Sequence, residues 1–287
     1  MDIRSADFCW PAPAKLNLFL HITGRRPDGY HLLQTIFQFI DFSDEIYIDV
    51  CQNGAIRRVN EIAGVLEHQD LVVRAAKLLQ TETGTSLGAD IRVEKKLPMG
   101  GGLGGGSSDA ATVLVALNEL WQTSLNVTRL AELGVKLGAD VPIFIRGVAA
   151  WAEGVGEIIT PLALAEPWFL VVVPDEHVDT GKVFSHPELT RDKHTIRIRD
   201  FLDGVTENVC QPIVEQGYPK VRDAIDWLAQ YSPSRMTGTG ACVFAAFDSE
   251  CQANEVLAKL PPGWKAVVAK GMNTSPLRSI AEFANCN

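Results

Sequence analysis

Three places in this 287-residue chain carry residue types whose spacing suggests chemistry. The first is Gly100-Gly101-Gly102-Leu103-Gly104-Gly105-Gly106. It runs straight into Ser107, Ser108 and an apolar stripe at helical spacing: Ala110, Val113, Leu114, Leu117, Leu120 and Trp121. Glycine allows a close backbone approach and positive φ angles, while a helix start adds unpaired N–H groups and a positive dipole end. Together these make an anion site suited to phosphate. A flexible linker is the alternative, but linkers rarely sit between a strand and a strongly patterned helix.

The second place is Lys15 with Asn17, and the third is Asp140 in Gly138-Ala-Asp-Val-Pro142. Phosphoryl transfer to an alcohol needs a group to take up the hydroxyl proton and cations to cover the developing charge. An Asp beside a Lys supplies both. On spacing alone, an Asp in such a turn is more often a backbone cap, and a strand lysine is usually a solvated end.

The glycine run belongs to neither common nucleotide class. A Walker A loop needs a Lys after its glycines, and none follows here. The pattern G-x-G-x-x-G fits Gly100, Gly102 and Gly105. A dinucleotide fold, however, requires a second parallel strand ending in an acidic residue about 20 residues on, and a second helical pattern occupies that place.

The elements that must position these residues are legible in outline. Residues 15–22 alternate strictly, with Leu16, Leu18, Leu20 and Ile22 on one face. Lys15, Asn17, Phe19 and His21 form the other, which reads as a half-buried strand with a mostly polar outer face. Gly24, Pro27, Asp28 and Gly29 supply turn chemistry. Strands are expected near 37–39, 45–50, 91–93 and 168–173. Helices are expected over 70–81 with Asp70 as N-cap, from Ser107, from Thr128 to Gly138, from Pro219, and after Ser249 with Gln252 as a capping box. This predicts an α+β protein of two halves, 1–160 and 161–287.

A formal charge of −9 disfavours a nucleic-acid partner. The longest apolar stretch, 168–173, is too short to span a bilayer, and residues 1–10 lack the apolar run of a signal peptide. The six cysteines have irregular spacing, so neither a zinc site nor a disulfide framework is expected. A cytoplasmic enzyme is the expectation. His21, His68, His177, His186 and His194 show no ligand spacing and are expected to be surface or structural. Lys95 and Lys96 read as a solvated strand end, and Asp109 receives no role.

Five motifs occur in order: Pro13-Ala-Lys-Leu-Asn17, Asp28-Gly-Tyr-His31, Leu97 to Ser108 through the glycines, Gly138-Ala-Asp-Val-Pro142 and Thr237-Gly-Thr-Gly-Ala-Cys242. In this the chain resembles the GHMP kinase superfamily along essentially its whole length. Its closest likeness is to the branch that phosphorylates the 2-hydroxyl of a cytidine-diphosphate-linked methylerythritol in non-mevalonate isoprenoid synthesis. Other branches, acting on homoserine, mevalonate or a sugar, are the alternative, and they have no pyrimidine for Tyr30 and His31 to bind.

The resemblance implies a two-lobed fold, with an N-terminal lobe like ribosomal protein S5, a C-terminal ferredoxin-like lobe and the active site between them. It implies ATP as co-substrate with Mg²⁺, whose protein ligands it leaves unnamed, and a monomer or homodimer. Pro98, Met99, Gly100, Gly101, Gly102, Leu103, Gly104, Gly105, Gly106, Ser107 and Ser108 would wrap the ATP phosphates. Asp140 would be the base, with Lys15 close to it and to the transferred phosphate. Asn17, Tyr30, His31, Thr180, Phe184, Gly238 and Gly240 would bind the second substrate. In that set Tyr30 stacks on the cytosine, His31 hydrogen-bonds its edge and Phe184 covers its other face.

Overall fold

The computed structural model describes residues 3, 5, 7–27 and 29–285, with side chains to 281, so Asp28 and Cys286 lie outside the described residues. The first strand, β1 (Trp10–Arg25), pairs antiparallel with β2 (His31–Cys51) along its whole length. The two short strands expected near 37–39 and 45–50 are parts of this one 21-residue strand. It stays extended because its other edge is taken by different partners in turn. These are β5 (Ala150–Glu153) at Thr35–Phe37, β10 (Lys265–Met272) at Phe39 and Ile40, and β4 (Gly88–Glu94) at Glu45–Cys51.

Short β3 (Ile56–Arg58) edges β4, and β6 (Ile158–Pro161) edges β5. Beyond β10 the sheet continues through β7 (Trp168–Val173) and β9 (Val243–Phe247) to β8 (Ser234–Met236), all antiparallel. Strand β10 therefore joins the sheets of the two halves.

Four helices cover the first half: α1 (Leu71–Thr83), α2 (Gly105–Leu120), α3 (Val127–Val135) and α4 (Val141–Arg146). The second half carries α5 (Thr180–Ser185), α6 (Ile198–Leu202), α7 (Gln211–Gly217), α8 (Pro219–Ala229) and α9 (Glu250–Leu257). The last helix, α10 (Pro276–Asn285), returns to pack on β1 and α2 of the first half, with Leu277 in that half's core.

Local signals account for most boundaries. Asp70 Oδ1 accepts from Val72 N at 3.0 Å, Pro219 opens α8, and Ser249 Oγ accepts from Gln252 N. Two boundaries shift. Helix α3 is capped by Asn126, whose Oδ1 accepts from Arg129 N at 2.9 Å, rather than by Thr128. Helix α2 begins at Gly105 with Gly104 as cap, two residues before the serines.

Strand β1 threads three apolar clusters. Trp10 and Ala12 belong to the first half's core, and Leu20 and Ile22 to the second half's. Ala14, Leu16 and Phe19 lie in a seam shared with Leu97, Leu103, Trp151, Phe169 and Phe244. The expected polar outer face does not exist as such: Lys15, Asn17 and His21 are as buried as their apolar neighbours. Loops of both halves close over that face; Lys15 and Asn17 find partners inside the protein, whereas neither ring nitrogen of His21 makes a hydrogen bond among the described residues. The five described cysteines form no disulfide.

Candidate active site

Lys15 is only 3 % exposed, so its ammonium needs partners. It has three donors and uses all of them. Nζ donates to Asn17 Oδ1 at 2.5 Å and to the Gly102 carbonyl at 3.1 Å, and it lies 3.4 Å from Asp140 Oδ2. The Lys15 backbone N–H also donates to the Leu103 carbonyl at 3.0 Å, which ties β1 to the glycine loop.

Asn17 is fixed in turn. Its Nδ2 donates to Thr35 Oγ1 at 2.9 Å and its backbone N–H to Thr237 Oγ1 at 3.0 Å. Thr237 Oγ1 donates to the Gly102 carbonyl at 3.2 Å. One network thus spans β1, β2, the glycine loop and the loop after β8.

Asp140 sits at the N-cap position of α4, yet its side chain makes no cap hydrogen bond there. The carboxylate is not spent on the helix. Gly138 and Pro142 fix the backbone on either side, and the side chain, 37 % exposed, faces the cleft with Oδ2 toward Lys15. The backbone-cap reading of Asp140 is thereby removed, as is the solvated reading of Lys15.

The glycine loop takes positive φ at Gly100, Gly102 and Gly104. At Gly102 the requirement is also steric, because a Cβ there would come 2.2 Å from the Thr237 carbonyl. The second lobe's loop lies directly against this one, with Ala241 N donating to Gly100 O and Cys242 N to Gly101 O at 3.3 and 3.1 Å. Asn208 Nδ2 holds that second loop by donating to the carbonyls of Met236 and Gly238.

A cavity of about 1000 Å³ runs between the halves. Its walls include Lys15, Asn17 and Asp140. Pro98, Met99, Gly100, Gly101, Gly102, Gly104, Gly105, Gly106 and Ser107 line it, as do Tyr30, His31, Thr180, Phe184, Gly238 and Gly240. Two residues expected around the phosphates stand elsewhere. Leu103 is buried in the seam core, and Ser108 is fully buried with its hydroxyl donating to the Pro13 carbonyl at 2.7 Å. Both hold the loop rather than face the cavity. The reason is the helix register: starting α2 at Gly105 turns Ser107 outward and Ser108 inward.

At the opposite end of the cleft Tyr30 is 64 % exposed. Phe184 stacks on His31, with ring centroids 5.2 Å apart and planes 22° apart. The expected arrangement, with Phe184 reserved for the base, is therefore modified: the His31 ring already covers one of its faces. Thr180 Oγ1 hydrogen-bonds Thr239 Oγ1 at 2.9 Å, linking α5 to the Gly238–Gly240 turn.

Several wall residues carried no recognisable sequence signal. Ile62, Val65 and Leu71 form an apolar extension beyond the glycine loop, flanked by Gln69 and the helix cap Asp70. Lys95 is a correction: it is mostly buried, paired with Asp44 and, at 2.7 Å, with Asp109. Asp109, given no role above, is buried, and Lys96 alone remains at the surface beside Glu45. One ammonium faces two buried carboxylates here. Burial, opposed by Lys95 and reinforced by Asp44, pushes the Asp109 carboxyl well above its ordinary range. Among the described residues no group of three or more His, Cys, Asp and Glu could hold a metal, and no helix is long and apolar enough to cross a membrane.

Comparison with known proteins agrees with this geometry. Residues 70–148 match the model of the GHMP kinases N-terminal domain, and residues 190–265 that of the GHMP kinases C-terminal domain. A protein of Nitrosococcus oceani named 4-diphosphocytidyl-2-C-methyl-D-erythritol kinase is 57% identical over 277 residues, covering 96% of this chain and 99% of that one. A crystal structure of 4-(cytidine 5'-diphospho)-2C-methyl-D-erythritol kinase superposes with a TM-score of 0.81 at 30% identity, over 92% of this chain and 99% of the other. A mevalonate kinase structure superposes with a TM-score of 0.68 at 16% identity, over 93% of this chain and all of the other, a likeness of fold alone.

Proposed function

The chain belongs to the GHMP kinase family, in the branch of the 4-diphosphocytidyl-2-C-methyl-D-erythritol kinases, and we infer from that membership and from the cleft how it works. It is an ATP-dependent kinase that phosphorylates the 2-hydroxyl of 4-diphosphocytidyl-2-C-methyl-D-erythritol, a step in isoprenoid precursor synthesis. The observation that carries the site assignment is the Lys15–Asp140 pair, 3.4 Å apart and directly beside a glycine-lined helix start.

In this reading the N–H groups of Gly104 to Ser107, at the positive end of α2, receive the ATP phosphates. The apolar extension at Ile62, Val65 and Leu71 takes the adenine. The Asp140 carboxylate accepts the proton of the 2-hydroxyl as that hydroxyl's oxygen attacks the γ-phosphorus. Lys15 holds Asp140 in place and covers the charge that develops on the transferred group. Asn17 orients the acceptor, and Tyr30, His31 and Phe184 hold the cytosine. Gly238, Thr239, Gly240 and Thr180 face the substrate phosphates and ribose.

The Ser107 hydroxyl lines the cavity and makes no hydrogen bond among the described residues. Its oxygen would be the protein ligand for Mg²⁺, which would neutralise phosphate charge. The same reading carries a cytoplasmic location, a monomer or homodimer, and no role for nucleic acid or membrane.

ADP release tests the assignment, measured with ATP, Mg²⁺ and the cytidine diphosphate substrate, and with mevalonate and homoserine as controls. Turnover confined to the cytidine substrate is expected. Turnover with either control alone would assign the chain to another branch.

A further inference from the structure

His31 is held by a residue that nothing in the motifs singles out. Arg191 lies in the loop between α5 and α6, and its guanidinium makes four hydrogen bonds. Nη2 donates to the carbonyls of Phe184 and His186 at 2.8 and 2.7 Å, and Nη1 to the Leu189 carbonyl at 3.1 Å. These close the C-terminal end of α5, where carbonyls lack helical partners. The fourth donor, Nε–H, points to His31 Nε2 at 3.2 Å.

An arginine only donates, and it stays protonated at any ordinary pH. His31 Nε2 must therefore present its lone pair, so a neutral ring carries its proton on Nδ1. Protonating the ring would set donor against donor and add a charge beside two guanidiniums. Burial, then Arg191, then Arg25 all push the His31 pKa down, so the neutral form holds at physiological pH. The ring stacks on Phe184 and lines the cavity, and Nδ1 makes no hydrogen bond among the described residues.

Nδ1–H is thus a donor of fixed identity at the pyrimidine end of the cleft. Cytosine offers acceptors at N3 and O2, whereas uracil places an N–H at N3. A donor opposite N3 pairs with the first and opposes the second. We propose that Arg191 is a positioning residue that sets the preference for cytidine over uridine diphosphates by locking His31 as the Nδ1–H tautomer against Phe184. The proposal rests on the kinase reading above for its substrate, but its test does not require turnover.

The direct readout is the tautomer of His31, taken from imidazole ¹⁵N shifts in the unliganded protein. It is paired with calorimetric affinities for CDP and UDP in the wild type, Arg191→Met and Arg191→Lys. The wild type should carry the proton on Nδ1 and bind CDP at least about tenfold tighter than UDP, the penalty of an unmet buried polar group. Arg191→Met keeps the apolar stem but donates nothing. It should mix the tautomers and reduce the CDP/UDP ratio by about tenfold. Where turnover is measured, its KM for the cytidine substrate should rise with kcat within about twofold. Arg191→Lys, which can still donate, should restore most of the ratio.

A wild-type proton on Nε2 overturns the proposal, as does an Arg191→Met variant that weakens CDP and UDP equally. Equal weakening is what a purely structural clamp on α5 would give. Loss of the kinase reading is separable: absent turnover with the tautomer and the CDP preference intact would sink the activity and leave Arg191 in this role.

Discussion

At the end of the cleft proposed for the phosphates the lining is mostly one short glycine-rich stretch, residues 100–107, backed by a buried lysine on β1. At the end proposed for the pyrimidine the lining is side chains of residues 30, 31 and 184, with Arg191 behind His31, and the most prominent of them, Tyr30, is largely exposed. The first end is tied down by a dense hydrogen-bond network and by close approach of the second lobe's loop. The second depends on loops that meet only when the halves are assembled. Phosphoryl transfer as proposed here fits the first kind of construction, and selection of one substrate fits the second.

Substitutions should separate the two ends. The largest effect is expected at Asp140→Asn, which keeps the shape but removes the proton acceptor. Its kcat should fall by about 10²- to 10⁴-fold while ATP affinity changes little. Rapid-quench turnover with parallel nucleotide titration would show it, and equal losses in both would erase the distinction between chemistry and binding.

Next comes Gly102→Ala. A Cβ there meets the Thr237 carbonyl at 2.2 Å on a backbone at φ +75°, so the loop or the second lobe must move. Positive φ alone costs about 1–2 kcal/mol for a residue with a side chain. A Tm lower by several degrees and an ATP KM at least about tenfold higher are expected. The pyrimidine end should respond differently: Arg191→Met, which also strips three carbonyls of their partner, should lower the Tm but leave the ATP KM near wild type.

The smallest effect concerns stability alone. Burial holds the Asp109 carboxyl well above the ordinary carboxylate range in the folded protein. The folded state therefore holds a proton that the unfolded state has released between the two pKa values. Stability should fall as pH rises above the ordinary carboxylate range toward the raised pKa of the folded state, and no further loss from this group is expected beyond it. Asp109→Asn supplies a permanently neutral side chain and should flatten that slope, gaining Tm relative to wild type at pH 9 over pH 6. Parallel slopes in scanning calorimetry would reject the assignment.

What the chain reveals before folding follows the same division. The glycine run, the Asp70 cap and Pro219 act over a few residues, and each lies where its type requires. Lys15, Asn17 and Asp140 were visible as residues, but their meeting depends on β1 being covered on both faces, which alternation along one strand cannot reveal. The Lys95–Asp44–Asp109 cluster joins positions 51 and 14 residues apart, and the lysine pair before the loop reads as a solvated end until Asp44 is seen beneath it. Arg191 lies 160 residues from His31, in a loop without periodicity. Such pairings are products of the assembled fold, and only the family likeness pointed to that end of the cleft at all.

The central claim is that one cleft joins a backbone-built phosphate site to an Asp140-driven transfer onto a cytidine-bearing alcohol. Phosphorus NMR of the reaction mixture tests it most directly, with wild type and Asp140→Asn each supplied with ATP, Mg²⁺ and 4-diphosphocytidyl-2-C-methyl-D-erythritol. The wild type should produce a new phosphomonoester resonance in step with ADP, and Asp140→Asn should bind ATP yet show almost none over the same time. A phosphomonoester formed equally fast by the variant, or none formed by the wild type, would contradict the account.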